Sequence, residues 1–289
     1  MSIIASVIIL AVVQGLAELL PVSSSAHVIV AEKLLGMDPT APEMTLLLVM
    51  LHTGTMFAVI AYFWRSWKNA YFSSREETWG TVKLLVLATV MTAIVALALK
   101  AIIERFIFRG APRAEIELLF GNLPLIAAAL AAVGIFIIYA GLSRSPGKNH
   151  GHRVETKQAI WIGLVQGLCL PFRGFSRSGA TISCGLTAGV SKASAEEFSF
   201  ALAVILTPPV VAREAMRLLA ARHALVASNG GHALSLFLPG LLGLVCSFLA
   251  GLLALRWLTR WLDRGRWHYF GYYCLFAAAV VLLLHIVGY

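Results

Sequence analysis

The chain has 289 residues, of which 59% are hydrophobic and 13% charged, with a mean hydropathy of +0.83. An average soluble domain is about a quarter charged and could not hide so much apolar surface in one core, so a water-soluble fold is excluded and the bilayer is the solvent that fits. The net charge of +9 comes from Lys and Arg scattered over short loops. That pattern suits the inner loops of a membrane protein and forms no basic stripe for nucleic acid. The four cysteines, Cys169, Cys184, Cys246 and Cys274, lie in apolar stretches without CxxC or metal-ligand spacing and read as small buried hydrophobes.

The first apolar run, 3–20, carries Gln14 and Glu18 and has neither a basic leader nor a clear small-residue cleavage site, so it reads as part of the fold and not as a signal peptide. After Pro21-Val22-Ser23-Ser24-Ser25 comes a second short run, 24–36. Three runs of spanning length follow at 44–64, 82–103 and 119–141. The pattern then repeats. Two short runs, 158–171 and 178–190, flank Pro171-Phe172-Arg173-Gly174-Phe175-Ser176-Arg177-Ser178-Gly179, and spanning runs follow at 198–215, 234–256 and 268–288.

Backbone groups in lipid must be satisfied within the segment, which makes the six long runs helices. Polar backbone at membrane depth survives only where protein or a wet cavity shields it, so each short pair predicts a re-entrant helix-loop-helix. Val13-Gln14-Gly15-Leu16 recurs as Val165-Gln166-Gly167-Leu168, and Glu43-Met44-Thr45-Leu46 with Thr53 recurs as Glu197-Phe198-Ser199-Phe200 with Thr207. Each half, about 1–141 and 157–289, is then one re-entrant pair plus three crossings. Three crossings are odd, so the halves are inverted. The expected fold is a single all-α integral membrane domain with six spanning helices and two re-entrant pairs in an inverted-topology repeat, with the site near the midplane where the two tips meet.

The loops at 65–83, 142–157 and 256–267, with Lys192, carry 13 Lys and Arg against 8 on the other side. The richer side is expected in the cytoplasm, which puts both termini and the mouth of the first pair outside.

Ionisable groups inside membrane segments are costly and are functional suspects. Gln14 and Glu18, spaced i, i+4, share a helix face. Ser23, Ser24, Ser25 and His27 follow the break, with Ser24 and His27 at i, i+3. Ser23 or Ser25 alone suits a helix cap. Glu18 with His27 points to chemistry. In the second pair, Gly174, Ser176, Arg177, Ser178, Gly179 and Thr181 stand at a helix start, with Arg173 close by. N–H groups at a helix N-terminus together with a guanidinium form an anion site that suits phosphate. These residues describe a phosphate or carboxylate held in the membrane, a carboxylate able to bind a divalent cation, and a Ser–His pair fit for nucleophilic or acid–base work.

Smaller expectations concern other positions. Thr207-Pro208-Pro209 should break a spanning helix and, with Thr53-Gly54-Thr55, shape a pocket. Gly240, Gly243 and Gly251 suit close helix packing. Trp64, Trp67, Trp257, Trp261 and Trp267 suit interfacial anchoring. His150-Gly151-His152 reads as a solvated loop.

The stretch Gln14-Gly15-Leu16-Ala17-Glu18-Leu19-Leu20-Pro21-Val22-Ser23-Ser24-Ser25-Ala26-His27 resembles the first motif of the undecaprenyl pyrophosphate phosphatase family of bacitracin-resistance type. Gly174-Phe175-Ser176-Arg177-Ser178-Gly179-Ala180-Thr181 resembles the second, and Glu196-Glu197-Phe198-Ser199-Phe200 the stretch after it. The resemblance covers nearly the whole chain. It implies a bacterial inner-membrane enzyme that removes the terminal phosphate of the C55 isoprenoid pyrophosphate at a site facing the periplasm, yielding the carrier reused in peptidoglycan synthesis. It implies Glu18 as the acidic residue linked to a divalent metal, Mg2+ or Ca2+, with Gln14 as its amide partner. Ser24 and His27 become the nucleophile or its helper and the acid–base group, and Ser176, Arg177 and Thr181 grip the pyrophosphate. The expected partners are the isoprenoid pyrophosphate lipid and membrane lipids, with a homodimer as the candidate assembly. Two positions depart from the family pattern: Gln14 stands where many members have Glu, and Arg173 where the second motif usually has Pro. A lipid or anion transporter on the same inverted repeat is the rival class, separated from the enzyme by Ser24 and His27 beside Glu18.

Overall fold

The computed structural model describes residues 2–37, 42–106, 122–143, 152–220 and 233–287. The secondary structure among them is helical: α1 (Ile3–Leu19), α2 (Ser24–Leu34), α3 (Pro42–Tyr71), α4 (Arg75–Phe106), α5 (Leu123–Leu142), α6 (Thr156–Cys169), α7 (Arg177–Thr187), α8 (Lys192–Ala220), α9 (Ala233–Asp263) and α10 (His268–Val287). Six of them, α3, α4, α5, α8, α9 and α10, are long and apolar enough to cross a bilayer. The protein is an all-α, multi-pass membrane protein.

Its surface agrees with that solvent. Val86, Val90, Ile94 and Leu97 on α4 are 39% or more exposed, one above another at helical spacing. Phe276, Leu283 and Ile286 do the same on α10. Such stripes are a liability in water and are the natural lipid-facing surface of a span.

The helix starts differ from the apolar runs that announce them. The fourth span, expected from 198, begins at Lys192, because Ser191 caps it by accepting from the Ser194 N–H at 3.2 Å. The third begins at Leu123, capped by Asn122, whose side chain accepts from the Leu125 N–H at 3.0 Å; residues 119–121 lie outside the described residues. The expected break at Pro208-Pro209 is absent, and α8 runs helically through both prolines. Thr207, just ahead of them, bends its hydroxyl back onto the Ala203 carbonyl at 2.8 Å.

The four short helices form two hairpins. In the first, α2 doubles back on α1, so that Val7, Leu10 and Ala11 near its start share a cluster with Ala31 and Leu35 near its end. In the second, the Ser191 N–H donates to the His152 carbonyl at 3.1 Å, and His152 pairs with Val190. Residues just before α6 and just after α7 are therefore tied together at the base of the pair. At about 1.5 Å per residue, the 14 residues of α6 and the 11 of α7 reach roughly 21 and 16 Å, short of the ~30 Å hydrocarbon core.

The chain packs as two compact units, each drawn from both halves of the sequence. In the first (1–20, 24–64 and 203–258), α1 meets α9 at Gly15. A Cβ there would lie 2.6 Å from the Ala250 Cβ and 2.7 Å from the Ser247 carbonyl oxygen. In the second (21–23, 65–202 and 259–289), α6 meets α4 at Gly167, where a Cβ would lie 2.6 Å from the Val95 Cβ and 2.8 Å from the Thr92 carbonyl oxygen. Small residues let helix backbones approach this closely in lipid, where packing replaces the hydrophobic effect.

Gly54 has the same use. A Cβ there would lie 2.4 Å from the Leu244 carbonyl oxygen, so Gly54 is a packing position. Gly243 faces Leu51 and Gly251 faces Ala58, as expected of packing glycines.

Trp67 and Trp267 are not interfacial anchors. Both are buried, donating to the Glu197 carbonyl at 3.3 Å and to Ser183 Oγ at 2.9 Å. Trp64 and Trp257 are exposed, as anchors require. Cys169, Cys184 and Cys274 are buried free thiols, and Cys246 is half-buried. His152 is exposed, whereas His150 and Gly151 lie outside the described residues, as do Arg109, Arg113, Arg144, Lys148 and Arg222 of the charge count.

Candidate functional site

The first polar cluster is built in the first unit, where α1 stops. Leu20 closes α1 with an extended backbone, its N–H donating to the Leu16 carbonyl. Pro21, Val22 and Ser23 turn the chain, and α2 starts at Ser24. Ser23 holds a left-handed φ of 66°, the one non-glycine among the described residues to do so. This costs about 1–2 kcal/mol in an L-residue, and such strain gathers at functional sites.

The helix spacing brings Gln14 and Glu18 together, and the turn adds Ser24. The carboxylate oxygen Glu18 Oε2 accepts from Gln14 Nε2 at 3.2 Å and from Ser24 Oγ at 2.5 Å. Gln14 is buried, while Glu18 and Ser24 are half-buried. His27 is half-buried one turn after Ser24 on the same helix face.

A fourth side chain, not anticipated from the sequence, completes this group. His52 on α3 brings Nε2 to 3.9 Å from Glu18 Oε2, and its Nδ1 lies 2.8 Å from the Leu48 carbonyl. The signal was available, since an imidazole inside a spanning run is a suspect by the same rule that picked out Glu18.

The second cluster is built in the second unit, at the start of α7. The Phe175 N–H donates to the Phe172 carbonyl at 3.1 Å, closing a turn with Arg173 second and Gly174 third. Gly174 has φ 99°, and a Cβ there would lie 2.5 Å from the Ile126 carbonyl oxygen, so glycine is required on both counts. Proline suits the second position of such a turn, and the turn forms with Arg173 in its place.

Ser176 then caps α7. Its hydroxyl accepts from the Gly179 N–H at 3.3 Å and its carbonyl from the Ala180 N–H at 2.9 Å. Arg177 and Ser178 head the helix, with Arg177 half-buried and Ser178 buried. Gly179 is packed tightly: a Cβ would lie 2.8 Å from Ile137 Cδ1 and 3.2 Å from the Pro21 Cβ.

Thr181 is fully buried. Its hydroxyl donates to the Arg177 carbonyl at 2.8 Å and shares a 2.6 Å bond with Ser199 Oγ of α8. A hydroxyl so engaged sets the start of α7 and has no proton left over for a ligand.

Behind α6, Gln166 Nε2 donates to Thr92 Oγ1 at 3.0 Å, and that hydroxyl donates to the Ala88 and Gly163 carbonyls. Two acids are buried, Glu32, which the sequence did not single out, and Glu196 of the third family-like stretch. Glu32 on α2 is 2% exposed, and Glu196 on α8 accepts from Thr259 Oγ1 at 2.5 Å.

No three His, Cys, Asp or Glu side chains gather as a ready-made metal cage among the described residues. Glu18 with His52 offers two donors, and a cation there would need the rest of its shell from water or from a phosphate. The donors present fit a cation shared with substrate, and not one caged by protein alone.

Six spans and two polar hairpins, with hydroxyl, carboxylate, imidazole and guanidinium groups at the helix breaks, define a polytopic membrane protein. The profile of the bacitracin resistance protein BacA family matches residues 7–280, and the chain belongs to that family. It is 57% identical over 282 residues to undecaprenyl-diphosphatase 2 of Acinetobacter baylyi, covering 96% of each chain. It is 33% identical to undecaprenyl-diphosphatase 2 of Burkholderia ambifaria, covering 95% of this chain and 94% of that one. It is 34% identical to the undecaprenyl-diphosphatase of Desulfosudis oleivorans, covering 95% and 96%.

Proposed function

We propose that the chain is an undecaprenyl-diphosphatase. It hydrolyses undecaprenyl pyrophosphate to undecaprenyl phosphate and inorganic phosphate, and so returns the lipid carrier to peptidoglycan synthesis. The observation that carries this reading is the 2.5 Å hydrogen bond from Ser24 Oγ to Glu18 at a break between membrane helices. A hydroxyl whose proton already points at a carboxylate is the arrangement of an activated nucleophile.

In this reading Ser24 Oγ attacks the terminal phosphorus, the lipid monophosphate leaves, and water then releases phosphate from the serine. Glu18 orients the Ser24 hydroxyl, and Gln14 orients Glu18. Glu18, which already accepts the hydroxyl's proton in a hydrogen bond, takes it as Ser24 attacks, and His27 is the acid–base group for the proton of the attacking water. At the start of α7, Arg177 and the N-terminal N–H groups, with Ser176, Ser178, Arg173 and Gly174 around them, neutralise the pyrophosphate. Ser23 and Gly179 let backbone come close. Thr181, engaged with Arg177 and Ser199, acts by positioning that helix start. A divalent cation at Glu18 would draw charge from the phosphate oxygens.

The hairpins are proposed to be re-entrant, which their length and the tied base of the second support. The inverted repeat is supported by the equivalent docking of Gly15 on α9 and Gly167 on α4, the second span of the opposite half in each case. The first hairpin's mouth is proposed to open on the periplasmic side of the inner membrane, which the charge count supports.

The test is inorganic phosphate released from C55 isoprenoid pyrophosphate by the purified protein in detergent, with and without EDTA. An enzyme works where no gradient exists and a transporter does not. Metal-dependent release supports the proposal. Absence of release under every metal, from folded protein, sinks it in favour of a transporter.

A further inference from the structure

We infer that His52 is a nitrogen ligand to the cation at Glu18, so that the site binds its metal through one carboxylate and one imidazole. The inference rests on the metal-dependent part of the proposed function and adds a residue to it.

The first step is the tautomer. The Leu48 carbonyl can only accept, so the His52 Nδ1 at 2.8 Å from it must carry the proton. Nε2 is then the ring atom left to face Glu18, and in the neutral ring it carries the lone pair. Facing it at 3.9 Å is Glu18 Oε2, which as a carboxylate oxygen also has only lone pairs to offer. That distance is too long for a hydrogen bond. A divalent cation between them would be held by the neutral ring's Nε2 and by the carboxylate, in place of the direct ion pair that a protonated ring would make.

The gap has the right width. Metal–nitrogen and metal–oxygen bonds of about 2.0–2.2 Å to a first-row divalent ion span donor separations up to about 4.2 Å, so His52 and Glu18 can share an ion with little movement. The surroundings match as well. Metal-bound histidines almost always donate their second ring N–H to a carboxylate or backbone carbonyl, which is what His52 does with Leu48. Glu18 is likewise held by Gln14 and Ser24. The His52 and Glu18 side chains are 38% and 18% exposed, which leaves an ion a path and room for substrate oxygens in its shell.

The donor set predicts the metal. Mg2+ and Ca2+ want oxygen ligands, and a second carboxylate at position 14 would serve them. This chain has Gln14 there and an imidazole on α3. A mixed nitrogen–oxygen site shifts preference toward Mn2+, Co2+ or Zn2+.

The test uses tag-free, full-length protein in detergent, titrated with Mn2+ and followed by electron paramagnetic resonance, with spin-echo detection of nitrogen coupling. The wild type should bind one Mn2+ and show imidazole nitrogen modulation. His52→Gln should lose that modulation and bind Mn2+ at least about 10-fold more weakly. His27→Gln, which removes the neighbouring imidazole, should keep the modulation. Bound Mn2+ without nitrogen modulation in the wild type overturns the inference, and that measurement needs no variant to fold. Modulation that persists in His52→Gln overturns it as well. In both cases metal-dependent phosphate release can stand. Loss of phosphate release under every metal, with nitrogen modulation intact, overturns the phosphatase reading and leaves the ligand assignment in place.

Discussion

Ser24 and Glu18, six residues apart and separated by the end of one helix and the start of the next, share a 2.5 Å hydrogen bond. Neither helix alone could make it: the break at Pro21 turns the chain and sets the hydroxyl over the carboxylate. The bond predicts that Glu18→Gln, which keeps shape and removes charge, lowers kcat by about 10²–10⁴-fold. Thermal unfolding in detergent should change little, because the amide can still accept from Ser24. Phosphate release measured beside a melting curve separates the two effects.

Arg177 heads α7 with its side chain half-buried. Arg177→Ala should reduce kcat/KM by about 10²–10³-fold, the usual loss when one preorganised donor to a developing charge is removed. Arg177→Lys should recover only part of this, since an ammonium lacks the planar fork that grips two phosphate oxygens. Initial rates over a range of lipid pyrophosphate concentrations check both.

Thr181 and Ser199 form a single hydroxyl pair that ends on the Arg177 carbonyl. Thr181→Val should cost about 1–2 kcal/mol, because it leaves polar groups without partners. Removing both hydroxyls should cost clearly less than the sum of the singles, since the second change strips the partner already stranded by the first. A double-mutant cycle on unfolding, with kcat/KM alongside, tests whether the pair acts by placing Arg177.

Gly15 and Gly167 dock their hairpins on α9 and α4, and a Cβ added at either would lie 2.6 Å from a side-chain carbon. Gly15→Val and Gly167→Val should destabilise to a similar degree, about 1–3 kcal/mol each or more, by overpacking. A large effect at one and none at the other would contradict the repeat. Melting midpoints in detergent decide between these outcomes.

Much of this fold was legible because the bilayer imposes length. Runs such as 82–103 and 268–288 admit one conformation in lipid, and α4 and α10 are that conformation. The breaks were legible because Pro21 and Gly174 interrupt otherwise apolar text. What the sequence hid were partners distant in the chain. Trp67 and Trp267 look like interfacial anchors until Glu197 and Ser183, 130 and 84 residues away, are seen to bind them. The prolines at 208 and 209 look like a break, but α8 continues through both. Thr181 reads as a ligand-binding hydroxyl until Ser199 claims it. His52 was passed over because it stands inside a spanning run, and its importance comes from Glu18 on α1, a helix it meets only in space.

The most direct test of the account is phosphate release by Ser24→Ala, assayed at saturating C55 isoprenoid pyrophosphate in detergent beside wild type, with both proteins matched for their melting transition. The account predicts that release falls by about 10³-fold or more while the fold is retained. Turnover within a few-fold of wild type would mean that the hydroxyl at the break does not carry the chemistry, and would contradict the account at its centre.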